Sequence, residues 1–150
     1  MRLDSDAPIG YQHTIVARWG GSYSLEISAS DQAIFRVRNS ANALGQVASV
    51  APLARGVWHH VVGIFNGGLV TVWVDGVQGG SQSIGGVLQN AGPSPDRTLI
   101  GATGNGSTSS YNFKGLIDEV AIYGRALSPS EVTSHWTALA DLNGDGILDL

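Results

Sequence analysis

The sequence has no cysteine and few charged residues, and these absences narrow what the chain can be. Without cysteine, the 150 residues contain no disulfide framework and no thiol nucleophile. Lysine and arginine total only 8, without a cluster, against 12 acidic residues, so a nucleic-acid-binding surface is not expected. No apolar run approaches the roughly 18 residues of a membrane span, so membrane insertion is not expected either. The 43% of hydrophobic residues indicate an ordered domain with a core.

Short strands joined by tight turns are the main feature of the pattern. Glycine, with 21 residues, is about twice as frequent as usual, which is typical of many turns. In 23–29 apolar and polar residues alternate, which predicts a half-buried strand with a solvated outer face. The turn residues Asn66-Gly67-Gly68 predict a hairpin between two further strands. The predicted strands cover 23–29, 33–39, 58–65, 69–76, 77–83, 97–102 and 113–124, with loops at 84–96 and 104–112.

One helix is predicted near the C-terminus. Ser128, Pro129 and Glu131 form a capping box, with a serine cap and a glutamate three residues later. Val132, Trp136 and Leu139 then follow on one helical face. The pattern predicts an all-β protein, an antiparallel β-sandwich with one short C-terminal helix.

Four stretches together resemble the laminin-G-like, concanavalin A-like jelly-roll domains of bacterial extracellular proteins. They are GVWHHVVGIFNGG, VTVWVDGV, LIGATG and FKGLIDEVAIYGRALSPSEV, in this order, within 13–139. The resemblance implies two packed antiparallel sheets and a secreted, extracellular setting. It divides the chain into a jelly-roll domain at 1–139 and a tail at 140–150.

The two ends predict a longer modular protein. Domains that the chain resembles open with a strand of which Met1–Asp4 looks like the last part, so the opening strand is expected to be missing. An unpaired sheet edge would result, which favours homodimers or strand exchange. The final decapeptide DLNGDGILDL resembles dockerin calcium loops and the start of FG-GAP/VCBS repeats.

The sequence contains two candidate sites for a structural calcium, each with a non-metal alternative. In the tail, Asp141, Asn143, Asp145 and Asp149 have calcium-loop spacing, but the acid that would close the loop would come after Leu150. The alternative for the tail is a flexible, solvated segment. The second site comes from the resemblance, which implies that the Asp of DEVAIY, Asp118, is a ligand of a structural calcium. Its alternative is a polar residue on an outer sheet face. His59 and His60 are expected on opposite faces of one strand, where they cannot share an ion.

Catalytic residues are not evident. Glycan hydrolysis requires two converging carboxyl groups, and the sequence has no acids at alternate positions of one strand. No nucleophile-elbow signature is present either. The chain is therefore not expected to be an enzyme.

A binding site is expected where aromatic rings and amides meet on loops. The candidate ligand-binding residues are Trp73, Asn105, Tyr111 and Asn112. The alternative is that Trp73 packs under a loop and Tyr111 caps the sheet edge. The three other tryptophans, at 19, 58 and 136, are assigned to structure.

The sequence thus predicts a non-catalytic recognition module of a larger secreted protein, with a glycan or an extracellular protein as ligand. Carbohydrate binding is the first hypothesis. A protein-adhesion or spacer module is the second, and a degenerate glycoside hydrolase or lyase the third. Exposure of Trp73 and Tyr111 in one groove would favour the first, and burial of both the second.

Overall fold

The computed structural model describes residues 1–18, 22–89, 97–104 and 109–140. Short strands fill most of these ranges, and one helix, α1, spans Pro129–Ala140. The strands in chain order are β1 (Arg2–Leu3), β2 (His13–Arg18), β3 (Tyr23–Ile27), β4 (Ala33–Arg38), β5 (Leu44–Ala48), β6 (Val61–Asn66), β7 (Leu69–Val74), β8 (Val77–Ser83), β9 (Thr98–Ile100), β10 (Thr103–Gly104), β11 (Ser109–Ser110) and β12 (Gly115–Leu116).

Two antiparallel sheets form the body of the fold. The larger has the strand order β5-β4-β3-β2-β9, and the smaller has the order β6-β7-β8. Two short pairs, β1 with β12 and β10 with β11, lie beside them. The prediction of an all-β antiparallel sandwich with one C-terminal helix is confirmed, because the described strands pair antiparallel throughout.

The main core lies between the two sheets. Alternate residues of β3 and β4 face inward, and so do alternate residues of β7. The buried members of this cluster are Met1, Leu3, Ala7, Ile15, Leu25, Ile27, Ala33, Phe35, Val37, Val47, Leu53, Val70 and Val72. Leu25 and Ile27 come from 23–29, where the alternation indicated the inner face correctly.

The outer face of β3 is not solvated as predicted. Glu26 is buried, with 8% exposure, although it lies on the polar side of the alternation. Arg36 on the neighbouring strand forms an ion pair with it, and Gln12 lies within hydrogen-bond distance of its carboxylate. Long polar side chains therefore cover this face, because an arginine stem can shield the sheet while its charge is paired.

The predicted strand at 113–124 is wrong for most of its length. Only Gly115–Leu116 is a strand, and it pairs with β1. Glu119 has a positive φ of 51°, which interrupts an extended backbone, and the side chains of 118–123 are exposed. Apolar residues on both parities predict a strand buried between two neighbours. In the described part of the chain, however, only β1 pairs with this segment.

The capping box of α1 is confirmed. The Ser128 N–H donates to Glu131 Oε2 at 2.7 Å, and the Glu131 N–H donates to Ser128 Oγ at 3.3 Å. Arg125 also donates to both Glu131 oxygens, and this hydrogen bonding lowers the pKa of Glu131 to about 2. The predicted apolar face is only partly right, because Leu139 is 43% exposed while Val132 is fully buried.

Helix α1 covers the outer face of the three-stranded sheet. Val132 and Leu127 pack there against Ile64 and Trp73, forming a second core. Most of β7 is thus buried on both faces, by the five-stranded sheet on one side and by the helix on the other. No helix in the described ranges is both long and apolar enough to cross a membrane.

The structural tryptophans differ from one another. Trp136 stacks on His60, and its ring lies close to Gly76, so it anchors the helix as predicted. Trp58 was assigned to a strand face, but it precedes β6 and is 44% exposed beside its bridge partner Arg2. Trp19 lies outside the described residues.

Candidate functional site

A shallow cavity lies at the N-terminal end of β2, where residues 8–13 lie beside residues 111–114. Its volume is about 360 Å³, within the range of small-molecule sites. Tyr11 and Tyr111 line it and are 65% and 54% exposed. We call this site the tyrosine pocket; its lining residues are Pro8, Tyr11, Gln12, His13, Tyr111, Asn112 and Lys114.

The backbone of Tyr111 is held in an uncommon conformation. Its φ is 53°, in the left-handed region that non-glycine residues rarely adopt. The Thr14 N–H donates to its carbonyl oxygen at 2.8 Å, which ties the segment to the start of β2. Two residues later, the Phe113 N–H donates to the Gly101 oxygen at 2.7 Å. These contacts place the exposed ring beside β2, directly after β11.

His13 joins the two walls of the tyrosine pocket from below. It is buried, with 3% exposure. Its Nδ1 lies 3.1 Å from the Asn112 carbonyl oxygen, and its Nε2 lies 3.4 Å from the Pro8 carbonyl oxygen. Both partners are hydrogen-bond acceptors, and the tautomer of the ring decides whether Nδ1 donates to Asn112 or Nε2 donates to Pro8. We assign His13 a positioning role beneath the two tyrosines.

The charge at the rim is balanced. Lys114 Nζ donates to Asp6 Oδ2 at 2.7 Å, and this hydrogen bond lowers the pKa of the Asp6 carboxyl group. The ammonium keeps further donor capacity because it carries three protons. The pocket therefore offers two aromatic faces, the amides of Asn112 and Gln12, and one cation that is already paired. Such a set suits a neutral polyhydroxylated ligand, whose C–H faces pack on rings and whose hydroxyl groups bond to amides.

The predicted binding residues do not all meet at this pocket. Tyr111 and Asn112 line it together. Asn105 lies outside the described residues. Trp73 lies elsewhere and is buried under α1, with 9% exposure and its indole N–H donating to Thr71 Oγ1 at 3.3 Å. This burial does not agree with the candidacy of Trp73 as a ligand-binding residue, because α1 covers the part of β7 on which it lies.

Tyr11 and Gln12 were missed. They stand in an irregular segment before β2, without any periodic pattern around them. The nearby turn residues Pro8 and Gly10 were the only local signal, and they indicate a loop rather than a site. Only the fold brings this segment against Tyr111.

Asp118 alone does not make a calcium site. It is exposed, and its Oδ1 accepts a hydrogen bond from the N–H of Glu119 at 2.9 Å. In the ranges that the structure describes, no group of three or more His, Asp or Glu side chains could hold a metal ion. Calcium takes six to eight oxygen ligands, which include backbone carbonyl groups and water, so a structural calcium at Asp118 stays a prediction. The tail residues Asp141, Asn143, Asp145 and Asp149 lie outside the described residues.

His59 and His60 lie in different surroundings. His59 Nδ1 is 2.7 Å from Asp75 Oδ2, and this hydrogen bond raises the pKa of His59 although burial opposes it. His60 stacks on Trp136, and its Nδ1 is buried without a hydrogen-bond partner. Burial lowers the pKa of His60, and the nearby His135 adds to this effect.

These opposite shifts predict opposite pH effects on stability. His60 binds its proton less readily in the folded chain, so its contribution falls as the pH drops below about 6.5 toward the folded pKa. His59 stabilises the fold fully below about 6.5, and that contribution is lost as the pH rises through its raised pKa. We expect His60→Phe to reduce the loss of stability on the acidic side and His59→Gln to reduce the loss on the alkaline side. Urea denaturation of both variants at pH values on either side of about 6.5 measures how the free energy of unfolding depends on pH. A pH dependence equal to that of the unmodified chain would contradict the roles given to the two histidines.

The comparisons with known proteins agree with the fold. Residues 3–133 match a laminin-G-type model described as the concanavalin A-like lectin/glucanases superfamily. Among proteins with curated descriptions, none matches the chain by sequence.

Several solved structures are similar in fold. The CBM40 module of the Ruminococcus gnavus IT-sialidase has a TM-score of 0.70 at 15% identity, over 86% of this chain and 76% of the module. A pentraxin from Limulus polyphemus has a TM-score of 0.65 at 15% identity, over 93% of this chain and 68% of its own. The binding domain of Paraclostridial Mosquitocidal Protein 1 has a TM-score of 0.61 at 15% identity, over 89% of this chain and 33% of its own. Since the family model covers most of the residues, the chain belongs to the concanavalin A-like lectin/glucanases superfamily.

Proposed function

We propose that the chain is a non-catalytic carbohydrate-recognition module that binds a glycan in the tyrosine pocket. The observation that carries the proposal is the pair of exposed rings, Tyr11 and Tyr111, on one cavity of about 360 Å³. Two exposed tyrosine rings that line one cavity suit the apolar face of a sugar ring.

The pairing of the carboxylates supports a role without catalysis. Glu26 pairs with Arg36, and Asp31 accepts two hydrogen bonds from Arg55 at 2.8 and 2.9 Å. The acidic residues at 6, 75 and 131 are also paired with cationic side chains or a histidine. A glycosidase needs two carboxyl groups that converge on the scissile bond. Two carboxylates contact residues that line the tyrosine pocket, and both are paired, Asp6 with Lys114 and Glu26 with Arg36.

A glycan array with the labelled chain identifies the ligand class, and calorimetry on the best glycan then tests the site. We expect Tyr11→Ala and Tyr111→Ala each to weaken binding about tenfold or more, since one lost stacking contact is worth about 1.4 kcal/mol. Tyr123→Ala is the matched control, because this tyrosine is similarly exposed, at 48%, and does not line the pocket. Equal losses in all three variants, or no glycan bound by the unmodified chain, would refute the proposal.

A second candidate function is the recognition of a polypeptide. One observation favours it: within the described ranges no strand pairs with the outer edge of β6, and such an edge can accept a peptide strand. The two functions use different surfaces.

Three expectations from the sequence stay predictions. Calcium binding by the tail residues would appear as a calcium-dependent rise in melting temperature that is lost in a variant ending at Ala140. Homodimers through an unpaired edge would appear in light scattering. An extracellular setting agrees with a glycan ligand, and fractionation of the producing cells measures it.

A further inference from the structure

Three loops meet at the end of the sandwich that lies opposite the tyrosine pocket. The pocket lies at the N-terminal end of β2, whereas the pairing of β2, β3 and β4 places the turn after β4 at the level of the C-terminal end of β2. The Ser40 N–H donates to the Val87 oxygen, and the Ile84 N–H donates to the Gly68 oxygen, each at 2.8 Å. These bonds hold the three loops together, and we call them the apolar tip. They are 39–44, 66–69 and 84–88.

Four aliphatic side chains of the apolar tip are exposed. Leu44 and Leu69 are each 44% exposed, Leu88 is 37% exposed and Val87 is 68% exposed. Single exposed apolar residues are normal on a protein surface, but four on adjoining loops indicate an apolar partner. The three loops also contain no acidic, basic or histidine residue. The tip is therefore both apolar and uncharged.

The backbone of the turn after β4 is satisfied within the chain. Asn39 is 4% exposed, and its Oδ1 accepts hydrogen bonds from the N–H groups of Ala41 and Ala43 at 3.0 and 2.8 Å. Its Nδ2 donates to the carbonyl oxygens of Ile84 and Gly85 at 2.9 and 3.2 Å. Every N–H group from Asn39 to Ala43 thus donates to an acceptor in the chain. The turn does not need water for these donors, which is an advantage where water is scarce, because unpaired backbone groups are costly there.

Three arginines stand at the same end of the five-stranded sheet. Arg38 ends β4 directly before the tip, and Arg18 ends β2 at the same level. Arg97 is exposed and precedes β9, which begins opposite Arg18. By contrast, Asp31 and Asp75 lie at the other end, in the turns after β3 and β7. This distribution of charge complements an anionic surface on the side of the tip.

We propose that the apolar tip docks on a lipid bilayer that contains anionic lipids. The aliphatic side chains would enter the interfacial region, and the arginines would lie at the level of the headgroups. Docking of this kind holds a protein on a membrane without a spanning segment. Arginine suits the headgroup level because its stem lies along apolar surface while its guanidinium group binds phosphate. The tyrosine pocket would face away from the bilayer, so glycan and lipid can be bound together.

A lipid surface fits the apolar tip better than a protein partner does. Tryptophan, tyrosine and arginine in packed pockets dominate the energy of protein interfaces, and leucine and valine are under-represented there. The three loops contain no aromatic residue and consist of aliphatic, small and amide residues. A bilayer demands apolar area and a satisfied backbone rather than a complementary shape, and the tip offers both.

Flotation with vesicles measures the docking. The probe is vesicles of phosphatidylcholine and phosphatidylglycerol, mixed about three to one, and we expect weaker partition onto pure phosphatidylcholine. Leu44→Ser combined with Val87→Ser is expected to lower the partition coefficient about tenfold or more, because two apolar contacts are lost. Val50→Ser is the matched control, since Val50 is 81% exposed and follows β5 at the opposite end. We expect no change in that variant.

The contribution of charge has its own variant. Arg97→Gln is expected to weaken partition onto the mixed vesicles about fivefold, the size for one cation near an anionic surface, and to leave partition onto pure phosphatidylcholine unchanged.

A label at the tip reports the contact directly. The chain has no cysteine, so Val87→Cys and Val50→Cys each give one position for an environment-sensitive fluorophore. We expect mixed vesicles to shift the emission to the blue at position 87 and not at position 50. Unchanged emission at position 87, or equal partition of the tip variant and its control, would overturn the proposal. Absence of partition onto either vesicle would overturn it in favour of a protein partner. A blue shift that depends on chain concentration without vesicles would overturn it too, because a second copy would then cover the tip.

Discussion

Replacing Trp73 by alanine is expected to lower the free energy of unfolding by about 3–5 kcal/mol, the range for a large aromatic side chain lost from a core. Trp73 is 9% exposed and packs with Ile64, Leu127 and Val132 in the layer that joins α1 to the three-stranded sheet. The alanine would leave a cavity that neither the helix nor the sheet can close without moving. Urea denaturation followed by circular dichroism measures the loss.

A structural role and a binding role for Trp73 give different results. Trp73→Phe keeps most of the buried area and is expected to cost far less than Trp73→Ala, with glycan affinity unchanged. Tyr111→Ala serves as the converse control. It is expected to lower glycan affinity while changing the free energy of unfolding little, because that ring is 54% exposed. Weaker glycan binding by a folded Trp73→Phe variant would restore Trp73 as a ligand contact.

The fold was predictable because period-two alternation indicates which residues face a core. The hairpin of β3 and β4 and the hairpin of β6 and β7 both follow from alternation and turn residues. Alternation could not show that α1 packs on Trp73. It assigns residues to the two faces of a strand, but it does not show which other element packs on each face. The helix that covers Trp73 is about 60 residues further along the sequence.

The candidate site was only partly predictable, for a related reason. Tyr111 and Asn112 stood in a loop that polarity and glycine content marked as exposed. Tyr11 and Gln12 meet them through contacts of His13 with Asn112 and of Thr14 with Tyr111, about 100 residues away in sequence. No local pattern encodes such a contact. The predicted strand at 113–124 was wrong because apolar content alone does not supply the neighbouring strand that a central strand requires.

Gly63→Ala is expected to destabilise the chain by about 1–3 kcal/mol, although the same change would often stabilise an extended segment. Two effects compete. Removing a glycine from ordinary backbone restricts the unfolded chain, which is worth about 0.4–1 kcal/mol in favour of folding. Against this, a β-carbon on Gly63 would lie 2.3 to 2.7 Å from three ring atoms of Phe35. Phe35 is 7% exposed and fixed between the sheets, so the ring cannot swing into solvent and the clash prevails.

Two variants decide whether the clash is the cause. Gly124→Ala is the matched control, because an added β-carbon there meets no atom within 4 Å, and we expect little change in its free energy of unfolding. Phe35→Leu removes part of the ring, so we expect it to cost less in the Gly63→Ala background than in the unmodified chain. A double-mutant cycle by urea denaturation measures this coupling. Additive effects would mean that the glycine is needed for another reason. A coupling energy of about 1 kcal/mol or more is the size expected for residues in direct contact. It would show that β4 and β6 can approach closely because Gly63 has no side chain.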